Sequence, residues 1–370
     1  MGVGTTDPAD FPFVTVQVKW SRMKLEEALD RLVELGGSDL LLSAGSLPRI
    51  RKDGYLEVFG EESGVLTPDD TKRMVREVLD LKQRKELEKR RHVDFAMTWR
   101  ERARIRGNAY FQRNSISGAF RLLPLAIPSF EMLGIPESVY RLLERQHGLI
   151  LVTGPTGSGK STTQAAIIDH INTTRPYHII TVEDPIEYIH RHRLSIVDQR
   201  QVGEDTPSFG EGLKAAFRED PDVLLIGEMR DLETISAAVS IAEAGHLVLA
   251  TLHTNDAPQA LDRIIDSYLG AQQQQVRIQL AGCLAGVIYQ QLIPAVGGGR
   301  VAAFEILIAN TAVRAMIKEG RTDQIRSVLQ TGVRDGSQTI ERSLNQLLQA
   351  GLISENDARV NSAHAMPVRL

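Results

Sequence analysis

The segment Gly154-Pro155-Thr156-Gly157-Ser158-Gly159-Lys160-Ser161 constrains this chain more than any other, because it satisfies G-x-x-x-x-G-K-[ST] at every position. Residues 149–153 read as a short apolar strand entering the loop. A helix follows it, in which Ala165, Ile168 and Ile171 share one face. Glycines let successive backbone N–H groups turn inward on phosphates, the helix N-terminus adds the positive end of its dipole, and Lys160 reaches the outer phosphates. Ser161 is the expected magnesium ligand, making ATP and Mg²⁺ the expected bound species.

A P-loop needs a sheet to sit on. Residues 178–182, 223–226 and 247–252 are short, nearly continuous apolar runs alternating with helical patterns, which predicts a mostly parallel sheet covered on both faces. Residues 301–308 read as a further strand after the Gly297-Gly298-Gly299 turn, with helices from there to an irregular tail near His364. In such a sheet the strand C-terminal ends meet at the ligand crevice. The acids that follow two of these strands, Glu183, Asp184 and Glu187 after one and Glu228 after the other, therefore converge on the P-loop. A carboxylate beside the outermost phosphate orients or deprotonates water, and one near magnesium holds its hydration shell. P-loop proteins commonly end the second strand in Asp. Here it ends in Gly227-Glu228, which leaves the metal more dependent on Ser161 and water.

The 370 residues exceed what one core usually serves, so a second domain is expected. Residues 25–35 predict a helix with Leu25, Ala28, Leu29, Leu32 and Leu35 on one face. Short strands are expected at 39–44, 49–51 and 55–59, with Asp53-Gly54 as a hairpin turn, and longer ones at 104–113 and 116–122. Two helices are expected between them, at 69–79 and 81–89, the second mostly solvated charge. Pro124, Pro128 and Pro136 mark a stiff linker. The division is thus an extension at 1–22, a small α+β domain at 23–122, a linker at 123–137 and the P-loop domain at 138–370.

No apolar run approaches the roughly 18 residues a spanning helix needs, so no membrane insertion is expected. The acidic start, residues 1–12, does not read as a secretory signal, which predicts a cytoplasmic protein. A single cysteine, Cys283, makes no intrachain disulfide and no four-cysteine zinc site. The net charge of -4 gives no reason to expect a nucleic-acid partner.

Four ordered motifs together carry a family resemblance. They are the P-loop, the acidic segment 181–188, the strand end Leu225-Ile226-Gly227-Glu228-Met229-Arg230-Asp231, and the histidine segment from Gly245-His246 to His253-Thr254. With Gly37-Ser38-Asp39-Leu40 in the small domain, the chain resembles the secretion and twitching ATPases from about Met23 onward. Within them it is most similar to the pilus-retraction branch. The segment Ala312-Val313-Arg314-Ala315-Met316-Ile317-Lys318-Glu319-Gly320 is similar to that branch's C-terminal motif, and assembly motors typically carry the four-cysteine site that is missing here.

The resemblance implies an α/β fold, a RecA-like P-loop ATPase domain with a smaller N-terminal PAS-like α+β domain, working as a homohexamer at the cytoplasmic face of the inner membrane. It implies an inner-membrane pilus platform protein and other pilus motor ATPases as partners. By matched position Glu187 is the expected base, with Glu183 next in line, and Glu228 organises magnesium-bound water and the outer phosphate. His253 and His246 are expected to sense the nucleotide, and Thr162, Arg218 and Arg230 to contact it. Arg113, Arg121 and Arg106 of the small domain are expected to reach a neighbouring subunit's nucleotide, and the segment 312–320, with Arg314, to make a working contact with a neighbouring domain or the membrane platform. The nearest alternative is a related pilus or secretion accessory motor, and three other readings share the P-loop. A nucleic-acid translocase is disfavoured by 5% aromatics and no evident stacking platform. A small-molecule kinase needs an acceptor pocket that the sequence does not display. A non-hydrolysing scaffold would not need the retained base.

Overall fold

The structure, a computed structural model, describes residues 24–52, 55–59, 64–100, 103–123 and 126–362. The extension at 1–22, the Asp53-Gly54 turn, Pro124 and the tail near His364 lie outside the described residues. The chain divides into two compact units, Met1–Leu123 and Pro124–Leu370.

In the first unit, helices α1 (Leu25–Glu34), α2 (Pro68–Val78) and α3 (Leu81–Arg90) accompany strands β1 (Asp39–Leu42), β2 (Arg49–Lys52), β3 (Tyr55–Val58), β4 (His92–Trp99), β5 (Ala103–Gln112) and β6 (Ser115–Leu123). The sheet runs β3-β2-β1-β6-β5-β4 and every pairing is antiparallel. Helix α1 buries Leu25, Ala28, Leu29 and Leu32 as their spacing predicts. Leu35 does not join them: it is the C-cap, where the helical phase ends, and it is 43% exposed. Helix α3 buries only Leu87, in keeping with its charge. Strand β4 was not expected from the sequence, although Val93 and Phe95 alternate into the core there.

The second unit carries β7 (Gly148–Thr153), β8 (His178–Glu183), β9 (Ile196–Gln201), β10 (Val223–Ile226), β11 (Leu247–Leu252), β12 (Leu284–Pro294) and β13 (Arg300–Ile308). They form one sheet in the order β13-β12-β7-β11-β10-β8-β9, parallel except for the β12–β13 hairpin. Alternate residues enter two separate cores. Leu149, Leu151, Leu224, Ile226, Val248 and Ala250 face one, and Ile150, Val152, Val223, Leu225, Leu247 and Leu249 face the other. Burial on both faces explains why these strands read as unbroken apolar runs. Strands β9 and β12 were not foreseen.

The helices of this unit are α4 (Phe130–Leu133), α5 (Glu137–Leu143), α6 (Lys160–Thr174), α7 (Phe209–Ala216), α8 (Leu232–Glu243), α9 (Ala257–Asp266), α10 (Gly270–Cys283), α11 (Thr311–Glu319), α12 (Ile325–Thr331), α13 (Ile340–Gln349) and α14 (Glu355–Asn361). The expected linker is partly folded into this unit. Ser129 caps α4 by accepting from the Met132 N–H at 3.3 Å, and the buried Phe130 packs edge-on to Tyr140 with ring centroids 4.7 Å apart. Prolines at 128 and 136 frame that short helix instead of keeping the segment extended.

Helix α11 holds a second departure. Asn310 caps it by accepting from the Val313 N–H at 3.0 Å, and Val313 and Ile317 are buried, with Met316 only partly so. Arg314 is held within this unit. Its guanidinium donates to the Ala281, Gly282, Leu284 and Ala309 carbonyls, clamping the C-terminus of α10 to the start of β12 and the end of β13. A planar group with five donors suits such a cluster of end-of-element carbonyls.

Candidate active site

Strand order sets the site. Strand β11 lies between β7 and β10, and β10 pairs with β8, with Leu252 opposite Thr153 and Ile226 opposite both Ala250 and Val182. The P-loop, the His253 turn, Glu228 and Glu183 therefore line up along one C-terminal edge.

The P-loop takes the conformation its glycines permit. Gly154, Gly157 and Gly159 have φ of 145°, 79° and 88°, and a Cβ on Gly154 would lie 2.2 Å from the Gln290 carbonyl oxygen. Strand β12 supports the loop from beneath, where Gln290 Nε2 donates to the Ser158 carbonyl at 2.6 Å. Pro155, Thr156 and Gly157 form its exposed crown. Lys160 is buried, and Nζ donates to the carbonyls of Gly154 at 2.8 Å and Pro155 at 3.0 Å. It also lies 3.3 Å from His253 Nδ1. Burial pulls its ammonium below the usual lysine value, while the carboxylates of Glu228 and Glu187 push it back.

His253 bridges cation and acid. Its Nε2 lies 3.2 Å from Glu228 Oε1, and the other Glu228 oxygen accepts from Arg230 Nη2 at 2.8 Å. An ammonium has no lone pair, so Nδ1 accepts from Lys160 and Nε2–H donates to Glu228, which fixes the tautomer. Burial raises the Glu228 carboxyl, but Arg230, His253 and Lys160 together hold it below the ordinary glutamate value. It is thus an anion at neutral pH.

Two of the acids at the end of β8, Glu183 and Glu187, differ in kind. The Glu183 carboxyl accepts from Thr181 Oγ1 at 2.6 Å and from Gln199 Nε2 at 3.2 Å, and desolvation pushes its pKa up. Glu187 is half-buried, and its side chain has no hydrogen-bond or ion-pair partner among the described residues. A carboxylate already tied to two donors is the poorer acceptor for a water proton. The geometry therefore favours Glu187 over Glu183. Thr162 Oγ1 lies 3.0 Å from the Tyr188 hydroxyl, linking α6 to this acidic segment.

Two expected site residues lie elsewhere. His246 precedes β11, where its Nδ1 is 2.6 Å from the Pro221 carbonyl oxygen and its ring meets Phe217 edge-on. The exposed Arg218 follows α7 at that same N-terminal edge. A six-residue strand separates this edge from the P-loop by roughly 20 Å, so neither residue joins the phosphate group within its own subunit. The shared motif places His246 and His253 at opposite strand ends.

In the small unit Arg106 and Arg121 are cross-strand partners, and Arg121 Nε donates to Asp39 Oδ1 at 2.8 Å. Arg113 occupies the turn between β5 and β6, with φ of 44°. Strand rise puts its backbone roughly 20 Å from that of the Arg106–Arg121 pair.

The cradle fits a nucleotide's phosphates. Beyond the glycine geometry and Lys160, the buried hydroxyls of Ser158 and Thr153 lack hydrogen-bond partners among the described residues. Buried polar groups of that kind await a partner. Ser161 is exposed on the first turn of α6, as a magnesium ligand would need to be.

Comparison with known proteins agrees with this geometry. The family model described as type II/IV secretion system protein matches residues 129–358, more than half of the chain. The type IV pilus retraction ATPase PilT of Pseudomonas aeruginosa is 44% identical over 340 residues, covering 91% of this chain and 97% of that protein. The type IV pilus ATPase PilU of the same organism is 39% identical over 349 residues, covering 94% and 91%. A crystal structure of the pilus retraction motor PilT with bound ADP superposes with a TM-score of 0.86 at 49% identity, over 93% of this chain and 98% of that one. A P-loop completed by acids and a histidine at neighbouring strand ends is thus joined by similarity along nearly the whole chain, and the protein belongs to the type II/IV secretion system ATPase family.

Proposed function

We propose that this chain is an ATP-hydrolysing motor subunit that powers type IV pilus retraction. The observation carrying the chemistry is the Lys160–His253–Glu228 chain, with Nζ to Nδ1 at 3.3 Å and Nε2 to Oε1 at 3.2 Å, near a Glu187 carboxylate that has no hydrogen-bond partner among the described residues. Lys160 gives its donors to Gly154, Pro155 and His253, and it exchanges the loop carbonyls for phosphate oxygens when ATP enters. That exchange alters what His253 accepts, and His253 passes the change to Glu228. His253 thereby reports the state of the outer phosphate to β10 and β11. Glu187 accepts the proton of the attacking water. Ser161 and, through water, Glu228 would hold Mg²⁺, which neutralises phosphate charge when bound.

The retraction role rests on likeness to relatives named for it, over almost their full length. With it come a homohexamer, docking on an inner-membrane platform protein, work at the cytoplasmic membrane face, and a division into a small domain at 23–122, a linker at 123–137 and an ATPase domain at 138–370. Arginines of the small domain, chiefly Arg113 and Arg121 with Arg106 as a further candidate, complete a neighbour's site. Among the described residues no helix is long and apolar enough to cross a membrane, which suits a motor acting from beside one. The direct test is phosphate release from ATP by purified protein with no acceptor and no nucleic acid present. Release that needs DNA or RNA favours a translocase, and transfer only to an added acceptor favours a kinase.

A further inference from the structure

Glu305 is a buried acid that the hydrolytic scheme above does not use. It lies on β13, opposite Tyr289 of β12, and is only 4% exposed. Its Oε1 accepts the Ala257 N–H at 3.2 Å. Ala257 opens α9, whose cap Asp256 accepts from the Gln259 N–H at 2.8 Å. His253 lies only three residues before that cap. Next to Tyr289 on β12 is Gln290, whose amide holds the P-loop. The C-terminal helices approach the same carboxyl with Arg326 and Glu341, themselves paired at 3.1 Å. One side chain thus touches the mount of the His253 turn, sits beside the strand under the P-loop, and feels the charges of Arg326 and Glu341 on the C-terminal helices.

We propose that Glu305 is a positioning residue for ATP hydrolysis, fixing the start of α9 and hence the His253 turn, and that it does so fully only when ionised. An anion at a helix N-terminus takes a charge-assisted bond from the backbone and complements the helix dipole, whereas the neutral acid offers a weaker acceptor. The groups facing it are Asp256 from α9, Tyr289 from β12, Arg326 from α12 and Glu341 from α13. Burial, aided by the Asp256 and Glu341 charges, pushes its carboxyl up to about 7, against the pull of the Ala257 N–H and Arg326. Ionisation is therefore gained as pH rises through neutrality, and any shift of Arg326 with the C-terminal helices alters it.

The inference rests on ATP hydrolysis at this site, and the experiment separates the two. Steady-state kcat and KM for ATP are measured between pH 6 and 8.5 on the full chain, on Glu305→Gln and on Lys160→Ala. The wild-type kcat should rise about fivefold with a midpoint near 7, while KM stays within about twofold. Glu305→Gln, which mimics the neutral acid, should hold the low-pH kcat across the range, and Glu305→Asp should restore part of the inflection. A wild-type kcat flat across this range, or an inflection undiminished in Glu305→Gln, overturns the positioning role. The first result does not depend on any variant folding. Wild-type protein as inactive as Lys160→Ala would instead remove the hydrolytic reading itself.

Discussion

Replacing Arg314 by alanine removes one side chain that serves four backbone carbonyls: Ala281, Gly282, Leu284 and Ala309. Gly282 is reached from the exposed side and rehydrates, while the other three contacts are part-buried. Taking about 1 kcal/mol for each carbonyl left without a donor gives a loss of about 3 kcal/mol. In a unit of this size 1 kcal/mol moves the unfolding midpoint by about 2–4 °C, so the fall should be about 6–12 °C. Arg314→Lys should recover about half, because an ammonium lacks the planar fork that spans several acceptors. Differential scanning calorimetry of the full chain reads the midpoint. Phosphate release well below the transition should stay within about twofold, since Arg314 touches none of the reacting groups. A midpoint lowered by under 2 °C refutes the clamp. So does a large loss of hydrolysis in a protein that melts normally.

Three further outcomes concern the site itself. Lys160→Ala should weaken ATP binding at least about tenfold in a fluorescent-nucleotide titration, since it removes the one side-chain cation of the P-loop itself; unaltered affinity would reject the cradle. Glu187→Gln should bind ATP within a few-fold of wild type yet lose about 10²- to 10⁴-fold in turnover, and Glu183 becomes the base if turnover survives. Co-assembled rings of Glu187→Gln with Arg113→Ala, and separately with Arg121→Ala, should regain activity for whichever arginine acts on a neighbour, because about a quarter of random interfaces then carry both intact groups. Mixed rings inactive in both pairings would remove the arginines from the mechanism.

The phosphate site was legible because its chemistry is local. Seven consecutive backbone positions and one lysine make the cradle, and strand polarity alone brings Glu228 and the acids after β8 to it. The missed strands failed for identifiable reasons. Strand β12 begins at Leu284, directly after Cys283 closes α10, so no turn residue separates the two. Edge strand β9, Ile-Val-Asp-Gln-Arg-Gln, leaves Ile196 exposed and buries Val197, so its apolar content marks no clear face. Strand β4 follows a charged helix whose polarity masks the alternation of Val93 and Phe95. His246 shares its motif with His253, but a motif that spans a whole strand has two ends. The inward turn of Arg314 depends on three elements meeting in space, which spacing along one helix cannot reveal.

The most direct test of the retraction motor is made in the cell that carries this gene. Its chromosomal copy is replaced by Glu187→Gln, and surface pili and twitching are measured together. The account predicts cells that bear more pili than wild type and do not move, because assembly continues while the motor that withdraws the fibre binds ATP without turning over. Bald cells, or cells that twitch normally with wild-type pilus numbers, would contradict it.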